Sequence, residues 1–273
     1  MERISSRQNP VVKRFRQMHA GDPGEQWMLL DGEHLVREAL ASGIHIELAA
    51  LAERLSASAP LATDLERSGA TVVTVTEQVL DAVSPVQQAS GVVAIAQRPS
   101  TALDQVFRTQ PALVLILSGV QDPGNVGAIV RAAEACGATG VVVTAGAADP
   151  FSWKALRGAM GSTFRLPIAT KQTLDEVVVR ARAAGLRVIA TDAHDGTPLP
   201  ACDLRAGCAV LFGGEGPGLP GAVLAAADER LTIPMRAPVE SLNVAISAAL
   251  VLYEAARQRT PTPAPHGRPN VAV

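Results

Sequence analysis

Four glycines grouped around a carboxylate form the stretch of this sequence best suited to chemistry. Residues 210–220 read Val-Leu-Phe-Gly-Gly-Glu-Gly-Pro-Gly-Leu-Pro, so Glu215 lies in a segment with four glycines within six residues. Glycine lets the backbone adopt conformations closed to other residues and brings its amides close to a ligand. The segment predicts either a ligand-binding loop or a turn that only reverses the chain, and taken alone it does not decide between them.

A dinucleotide or phosphate is the weaker interpretation of this loop. The dinucleotide fingerprint needs the spacing G-x-G-x-x-G with a helix directly behind it, and residues 213–218 do not have that spacing. Pro217 has no amide proton to donate to a phosphate. A nicotinamide dehydrogenase therefore lacks its fingerprint here, and no histidine is placed as its hydride-site acid.

Two other segments carry polar side chains near glycine or proline. Asp122-Pro123-Gly124-Asn125 predicts a type II turn with Asn125 capping the helix that follows. Arg131 lies one turn beyond Gly127, whose missing side chain would leave room for a substrate group beside the guanidinium. An ordinary surface arginine would fit an isolated helix equally well.

The third segment, Ser241-Leu242-Asn243, follows the turn Ile233-Pro234-Met235. Its polar side chains can hydrogen-bond a substrate or lock the turns, and Ser241 can also serve only as a helix cap.

Taken in order, these segments closely resemble the motifs of a known family. N-x-G-A-I-x-R, F-G-G-E-G-x-G-L and I-P-M with S-L-N-V-A are similar to the three motifs of the SpoU (TrmH) family of RNA ribose 2'-O-methyltransferases, within the SPOUT superfamily. The resemblance is strong over residues 111–258 and looser over the first hundred. It implies an α/β domain with a C-terminal trefoil knot that binds S-adenosylmethionine.

The same resemblance implies roles for individual residues. Arg131 is the central catalytic candidate; because a guanidinium stays protonated, we expect it to hold a substrate phosphate rather than act as a base. We expect Glu215 to shape its loop rather than to position substrate. The other catalytic candidates are Asn125, Ser241 and Asn243, and the cofactor-binding candidates are Leu211, Gly213, Gly216, Ile233, Met235 and Leu242.

The elements that position these residues alternate between strands and helices. Apolar runs at residues 113–117, 141–143, 186–190 and 210–213 predict buried strands of a largely parallel sheet with helices on both faces. Ligands of such sheets bind at the carboxyl ends of the strands, where Asn125, Gly213 and Ile233 fall. A helix from Leu242 to Arg257 is apolar on nearly every side and must be covered all round, so we expect a homodimer.

The chain is long enough for two domains. With 273 residues, 48% of them apolar, it predicts an N-terminal α/β domain at 1–98, a linker at 99–111, a methyltransferase domain at 112–260 and a disordered tail at 261–273. The motifs I-S-S-R-Q-N-P, L-D-G-E and S-G-V-V-A are similar to the family's RNA-binding N-terminal domain.

Charge placement bears on the RNA partner. The net charge is −2, which is a poor match for binding RNA by bulk electrostatics. The first sixteen residues nevertheless carry five basic side chains against Glu2, so this segment is either an RNA-binding surface or a solvated helix face. Ribosomal RNA is the leading substrate and transfer RNA the second. The alternative is a non-catalytic RNA-binding or ribosome-assembly protein. The sequence disfavours this alternative because the three motifs are intact.

Other classes of protein are disfavoured. No apolar run approaches a membrane span or the core of a signal peptide, so we expect a cytoplasmic protein. Cys136, Cys202 and Cys208 form no C-x-x-C pair, and the five histidines are scattered. We therefore expect buried, reduced thiols and no metal site.

Overall fold

The computed structural model describes residues 1–19, 26–55 and 60–260. The predicted disordered tail at 261–273 lies outside these residues. The N-terminal part contains five strands and five helices among the described residues. They are β1 (Glu2–Ile4), α1 (Pro10–His19), β2 (Trp27–Asp31), α2 (Glu33–Ala41), β3 (Ile46–Ala52), α3 (Pro60–Arg67), β4 (Thr71–Val75), α4 (Glu77–Val83), β5 (Val92–Gln97) and α5 (Leu103–Val106).

The first five strands form one mixed sheet in the order β1-β4-β3-β5-β2. β5 runs antiparallel to both β2 and β3, while β1 and β3 run parallel to β4. The carboxyl ends of β1 to β4 and the start of β5 therefore meet at one edge of the sheet, which we call the N-terminal edge loops (residues 5–9, 32–33, 53–55, 76–78 and 84–91).

The C-terminal part contains the remaining elements. They are β6 (Leu113–Ser118), α6 (Pro123–Ala135), β7 (Gly140–Thr144), α7 (Trp153–Ala159), α8 (Ser162–Arg165), β8 (Ile168–Gln172), α9 (Leu174–Ala183), β9 (Arg187–Thr191), β10 (Thr197–Pro198), β11 (Cys208–Gly213), α10 (Gly221–Ala226), β12 (Glu229–Thr232) and α11 (Val244–Arg259), with one 3-10 turn at Leu199–Ala201.

These seven strands form an entirely parallel sheet in the order β10-β12-β9-β11-β6-β7-β8. The predicted α/β architecture is confirmed. Strand order reverses between β11 and β6, which pair in register with Gly213 opposite Ser118. Such a reversal opens a crevice at the carboxyl ends of the strands, so a ligand is expected beside the glycine-rich loop.

One continuous hydrophobic core joins the two sheets. Met28 and Leu30 of β2 belong to the same buried cluster as Leu115 of β6 and Leu156 of α7. Ion pairs also cross between the two parts: Arg98 to Asp149 at 2.7 Å, and Arg165 to Glu38. The predicted domain boundaries stay predictions, as does the trefoil knot.

Helix α11 begins two residues later than predicted and has two distinct sides. Val244, Ala248, Val251, Leu252 and Ala255 are buried against the sheet and α6. Ile246, Leu250 and Tyr253 lie on the other side and are 54%, 41% and 67% exposed. The helix is thus partly uncovered within one chain. Across the described residues, no helix combines the length and apolar character that a membrane crossing requires.

Three details of helix α6 differ from the predictions. The three residues after Asp122 are already helical and Gly124 does not have the positive φ of a type II turn, so the predicted turn does not form. The N-cap of α6 is Asp122, whose carboxylate accepts hydrogen bonds from the backbone N–H groups of Gly124 and Asn125, so Asn125 does not cap the helix. Gly127 leaves no room for a substrate group, because a Cβ there would overlap the carbonyl oxygen of Ala155 in α7. The glycine serves close helix packing instead.

The three cysteines are free thiols. Cys202 and Cys208 are buried as predicted, whereas Cys136 is only half-buried at the end of α6.

Candidate functional site

A cavity of about 360 Å³ lies at the carboxyl ends of β9, β11 and β12. Four chain segments surround it: the loop after β9, the glycine-rich loop after β11, the segment after β12, and the first turn of α11. The residues that line it are Thr191, Asp192, Ala193, Phe212, Gly213, Gly214, Glu215, Gly216, Gly218, Leu219, Leu231, Ile233, Met235, Ser241, Leu242, Asn243, Val244 and Ser247. Eight of the eleven predicted site residues lie in this one cavity.

Close backbone contacts explain the glycines of the loop. A Cβ on Gly214 would overlap the carbonyl oxygen of Gly119, and one on Gly213 would overlap the backbone of Gly218. Gly216 and Gly218 have φ angles of 92° and 64°, a region that disfavours other residues. The loop folds back on itself through the N–H of Gly218, which donates to the oxygen of Gly214 at 3.2 Å. It therefore both reverses the chain and lines the cavity.

A chain of hydrogen bonds joins three of the predicted catalytic residues. The side-chain amide of Asn125 donates to the Glu215 carboxylate at 2.7 Å, and the amide of Asn243 donates to the side-chain oxygen of Asn125 at 3.1 Å. The backbone N–H of Gln121 donates to the other Glu215 oxygen at 3.1 Å. The network ties the start of α6, the glycine-rich loop and the start of α11 together.

The same contacts determine the charge of Glu215. Partial burial raises the pKa of its carboxyl, but the hydrogen bonds from the Asn125 amide and from backbone N–H groups outweigh burial, and the pKa is lowered. Glu215 is therefore a carboxylate and a weak base. This agrees with the expectation that it shapes the loop.

Asn243, not Ser241, caps helix α11. Its side-chain oxygen accepts hydrogen bonds from the N–H groups of Ala245 at 2.9 Å and Ile246 at 3.2 Å. Asn243 thus holds the helix end with its oxygen and Asn125 with its amide. The exposed Ser241 hydroxyl makes no hydrogen bond within the described residues, so it remains able to contact a ligand.

Three predicted site residues do not line the cavity. Asn125 reaches it only through Glu215 and Asn243. Leu211 is fully buried in β11, and its carbonyl oxygen accepts from the Thr191 hydroxyl at 2.8 Å. Arg131 lies on the exposed side of α6, about 9 Å along the helix axis from Asn125. Its guanidinium forms no hydrogen bond or ion pair with any described residue.

The side of the cavity that is formed by the residues directly after β9 was not predicted from the sequence. Asp192 lines the cavity with a side chain that is 13% exposed, and one carboxylate oxygen accepts from the N–H of His194 at 2.9 Å. Its position directly after an apolar strand was the available signal, since all carboxyl ends of a parallel sheet share one edge. Asp192 and Glu215 give the cavity two carboxylates, and no Lys or Arg occurs among the described residues that line it. Arg230 lies outside the lining, with its guanidinium 3.9 Å from the Asp192 carboxylate, so the lining itself is acidic.

An acidic cavity favours cationic ligands over phosphates. It therefore supports the sequence argument against a dinucleotide. Groups of three or more side chains able to hold a metal ion do not occur within the described ranges.

The basic N-terminal residues are partly neutralised. Arg3 pairs with Glu53 at 2.6 Å, Arg14 pairs with Glu47, and Arg7 donates to the backbone oxygen of Gln78 at 3.1 Å. Ion pairing raises the pKa of Arg14 and lowers that of Glu47. The local positive excess available to RNA is therefore smaller than the sequence indicates.

Comparison with known proteins agrees with this geometry. Residues 112–253 match the SpoU rRNA Methylase family, and residues 9–94 match the MRM3-like substrate binding domain. The chain is 33% identical to the Bacillus subtilis (strain 168) 23S rRNA (guanosine(2553)-2'-O)-methyltransferase RlmP, over 93% of this chain and 98% of that protein. It is 36% identical to an uncharacterised tRNA/rRNA methyltransferase, slr1673, of Synechocystis sp., over 94% of both chains.

Solved structures show the same fold. An AdoMet-bound rRNA methyltransferase from Sinorhizobium meliloti is 29% identical, with a TM-score of 0.85 over 94% of this chain and 97% of that one. The SpoU methyltransferase AviRb from Streptomyces viridochromogenes, in complex with the cofactor AdoMet, is 27% identical, with a TM-score of 0.81 over 92% and 98% of the two chains. The sequence match and the shared fold agree, and the second and third motifs line one cavity to which Asn125 of the first motif is joined by hydrogen bonds. This chain therefore belongs to the SpoU rRNA methylase family.

Proposed function

We propose that the protein transfers a methyl group from S-adenosylmethionine to a ribose 2'-hydroxyl of RNA, with 23S ribosomal RNA as the substrate. The observation that carries the proposal is the acidic cavity at the carboxyl edge of the parallel sheet, because it gathers the second and third family motifs around one space. The names of the relatives support ribosomal RNA as the substrate.

The cavity fits S-adenosylmethionine in size and chemistry. Its volume of about 360 Å³ falls within the roughly 300–1,000 Å³ of ordinary small-molecule pockets. Leu219, Ile233 and Leu242 supply apolar walls, while the backbone of the glycine-rich loop can approach a ligand closely. Asp192 and Glu215 supply negative charge for a cationic ligand.

The residues of this chain position the reactants rather than react covalently. When bound, the cofactor would supply a methyl group already activated by its sulfonium charge. The apolar walls would contact the ligand, and the network of Asn125, Glu215 and Asn243 fixes the loops around the cavity. Alignment of reacting groups is a large source of rate enhancement, so a rigid frame is the protein's main contribution.

Arg131 holds a phosphate of the RNA next to the reacting hydroxyl. Three features support this role: the family motif around it, its exposed position on α6, and a guanidinium with no ionic partner among the described residues. A guanidinium is protonated at any physiological pH and presents a rigid fork of donors that matches phosphate oxygens. Arg131 can therefore orient substrate and stabilise negative charge, but it cannot accept the hydroxyl proton, which leaves to water or to a carboxylate as the methyl group is transferred.

We propose that the protein is a homodimer. The exposed side of α11 carries Ile246, Leu250 and Tyr253 at positions i, i+4 and i+7, which form one stripe along the helix. A second copy of the chain is its proposed partner.

We propose also that the segment after β12 threads through a loop and so forms a trefoil knot. We propose that the N-terminal part recognises RNA, because it matches a substrate-binding domain. A ribosomal RNA substrate would agree with the cytoplasmic location predicted from the sequence.

Methyl transfer from labelled S-adenosylmethionine tests the proposal. Ribosomal and transfer RNA are purified from a strain that lacks this gene and are incubated separately with the protein. We expect label in 23S ribosomal RNA, at a nucleotide whose 2'-O-methyl group blocks alkaline cleavage. Label in transfer RNA alone would select the second substrate, and binding of RNA without any transfer of label would favour the ribosome-assembly alternative.

A further inference from the structure

Helix α7 lies at the seam between the two sheets. Trp153, at its start, packs against the core of the N-terminal sheet. Its ring meets the ring of His19 edge-on, with the two ring centroids 6.3 Å apart. Gly161, just past its end, lies against the side chain of Glu38 in α2. Arg157 is one turn from each of them, so it stands on the side of α7 that faces the N-terminal part.

Arg157 differs from the other arginines of this seam. Arg98 pairs with Asp149, and Arg165 pairs with both Glu38 and Glu134. Arg157 is exposed, and its guanidinium forms neither a hydrogen bond nor an ion pair with any described residue. Lys154, one turn earlier on α7, is also exposed, with its ammonium over the Trp153 ring at 5.4 Å. The seam therefore presents positive charge that no described carboxylate neutralises by direct contact.

The N-terminal edge loops adjoin Arg157. Its charge acts on Asp31 at the end of β2, a buried carboxylate that accepts a 2.9 Å hydrogen bond from the Ser84 hydroxyl. The next residue, Gly32, lies against Ser90, whose neighbouring loop backbone accepts a hydrogen bond from Arg54 at 3.1 Å. Polar groups thus extend from Arg157 along the edge of the N-terminal sheet, where Asp31 and Ser84 are buried and Arg54 and Ser90 are exposed.

On its other side, α7 leads to the proposed catalytic helix. Gly158 lies against Gly124 and Ala128 of α6. Asn125, a member of the network at the cavity, lies between these two residues in the first turns of α6. Arg157 is therefore placed between the N-terminal edge loops and the helix that carries both Asn125 and Arg131.

We propose that Arg157 binds a backbone phosphate of the substrate RNA at this seam, and that it is a positioning residue which guides the RNA from the N-terminal edge loops to Arg131. The inference rests on the proposed function. An exposed arginine on a surface that joins a substrate-binding part to a reaction site suits phosphate contact, which sets the position of RNA without reading its sequence.

A purely structural role for Arg157 makes different predictions. Burial raises the pKa of Asp31, while the Ser84 hydrogen bond and the attraction of Arg157 lower it. If Arg157 served only to stabilise this carboxylate, its removal would lower the stability of the fold and would leave the salt dependence of RNA binding unchanged. A phosphate contact alters that salt dependence, because each neutralised phosphate releases counterions.

The test compares Arg157→Gln and Arg157→Lys with a matched control, Arg67→Gln. Arg67 is also exposed and unpaired among the described residues, but it ends α3 at the opposite edge of the N-terminal sheet. Binding of a 23S ribosomal RNA transcript is measured over a series of salt concentrations. Steady-state methyl transfer and thermal unfolding are measured on the same proteins.

In Arg157→Gln, we expect the slope of log affinity against log salt concentration to decrease in magnitude by about 0.7–0.9. We expect KM for RNA to rise with kcat little changed, since the contact acts on binding. Arg157→Lys should keep the wild-type slope because it keeps the charge, and so should Arg67→Gln. A wild-type slope in Arg157→Gln would overturn the inference, and so would an equal loss of slope in Arg67→Gln.

A second variant guards against unfolding. If Arg157→Gln does not fold, the double variant Asp31→Asn/Arg157→Gln removes the buried carboxylate together with its counter-charge and takes the same slope test. If the wild-type protein transfers no methyl group to RNA, the proposed function fails. If it does transfer methyl groups and the slope is unaffected by the loss of Arg157, only the role of Arg157 fails.

Discussion

The side-chain amide of Asn125 donates a 2.7 Å hydrogen bond to the carboxylate of Glu215, ninety residues further along the chain. Because Asn243 donates in turn to Asn125, the three motifs of the family meet through side chains as well as through their positions on the sheet. Two of the three residues also line the cavity. The bond between Asn125 and Glu215 therefore couples the geometry of the glycine-rich loop to that of α6.

Replacing Glu215 by Gln should disturb this coupling. The new amide group offers one acceptor where the carboxylate offers two, so either Asn125 or the Gln121 N–H loses its partner. We expect a loss of about 1 kcal/mol in the free energy of unfolding, together with slower methyl transfer. Glu240→Gln is the matched control, since Glu240 is exposed and makes no hydrogen bond among the described residues. Unchanged kinetics in Glu215→Gln would show that the network does not matter for turnover.

The lowered pKa of Glu215 gives a pH dependence to the same comparison. Its folded-state pKa lies below the ordinary value of 4.5, so the ionised carboxylate stabilises the fold above about pH 4.5. This contribution is lost as the pH falls through the folded-state pKa. We expect the stability difference between the wild type and Glu215→Gln, measured by urea unfolding, to shrink as the solution is acidified. A difference that grows on acidification would contradict the lowered pKa.

Two substitutions of Asn243 separate its two roles. Asn243→Asp keeps the oxygen that caps α11 but loses the donor to Asn125, whereas Asn243→Ala loses both. We expect only the Ala variant to lose about 1 kcal/mol of stability, and both variants to transfer methyl groups more slowly. Thermal unfolding and steady-state kinetics measure the two effects. Full activity in Asn243→Asp would restrict Asn243 to capping.

The glycine-rich loop offers a steric test. A methyl group on Gly214 would meet the carbonyl oxygen of Gly119, so Gly214→Ala must push β6 and β11 apart at the cavity. We expect a destabilisation of about 1–3 kcal/mol and at least a tenfold loss of affinity for S-adenosylmethionine in calorimetry. Gly221→Ala is the control, because a Cβ there meets nothing within 4 Å. Equal behaviour of the two variants would mean that the close approach at Gly214 is not needed.

These residues also show what the sequence could and could not predict. Apolar runs were enough to place the buried strands, and the rule that carboxyl ends share an edge was enough to place Gly213 and Ile233 at one cavity. The cap of α6 also has a local signal, because Pro123 at the first helical position indicates that the preceding residue, Asp122, is the cap.

Contacts between segments that are far apart in the chain could not be predicted from the sequence in the same way. Gly127 was expected to make room for substrate, and it instead allows α7 to approach α6 through Ala155. The chain of bonds from Glu215 to Asn125 to Asn243 joins segments ninety residues and more apart, and no local pattern reports such a contact. Hydrogen bonds between such distant segments can be predicted only once the order of the strands in the sheet is known.

The exposed stripe on α11 predicts an effect of charge on assembly. We expect the wild-type protein to sediment as a dimer and Tyr253→Glu to raise the dimer dissociation constant at least about tenfold, since burying an aromatic or aliphatic side chain is worth roughly 1.5–3 kcal/mol. Val179→Glu is the control, because Val179 is 65% exposed on α9, away from the stripe. A monomeric wild type, or a dimer that is equally sensitive to both substitutions, would remove α11 as the interface.

Arg131→Lys tests the proposed grip on phosphate directly. Lysine keeps the positive charge but replaces the planar fork of the guanidinium with a single flexible ammonium, so a bidentate contact becomes a simple charge contact. We expect kcat/KM for RNA to fall at least about tenfold, because hydrogen bonds to charged groups contribute roughly 1.5–3 kcal/mol. Affinity for S-adenosylmethionine should stay at the wild-type value, since Arg131 does not line the cavity. If Arg131→Lys kept full turnover, the bidentate contact would be wrong and Arg131 would act on RNA only through its charge.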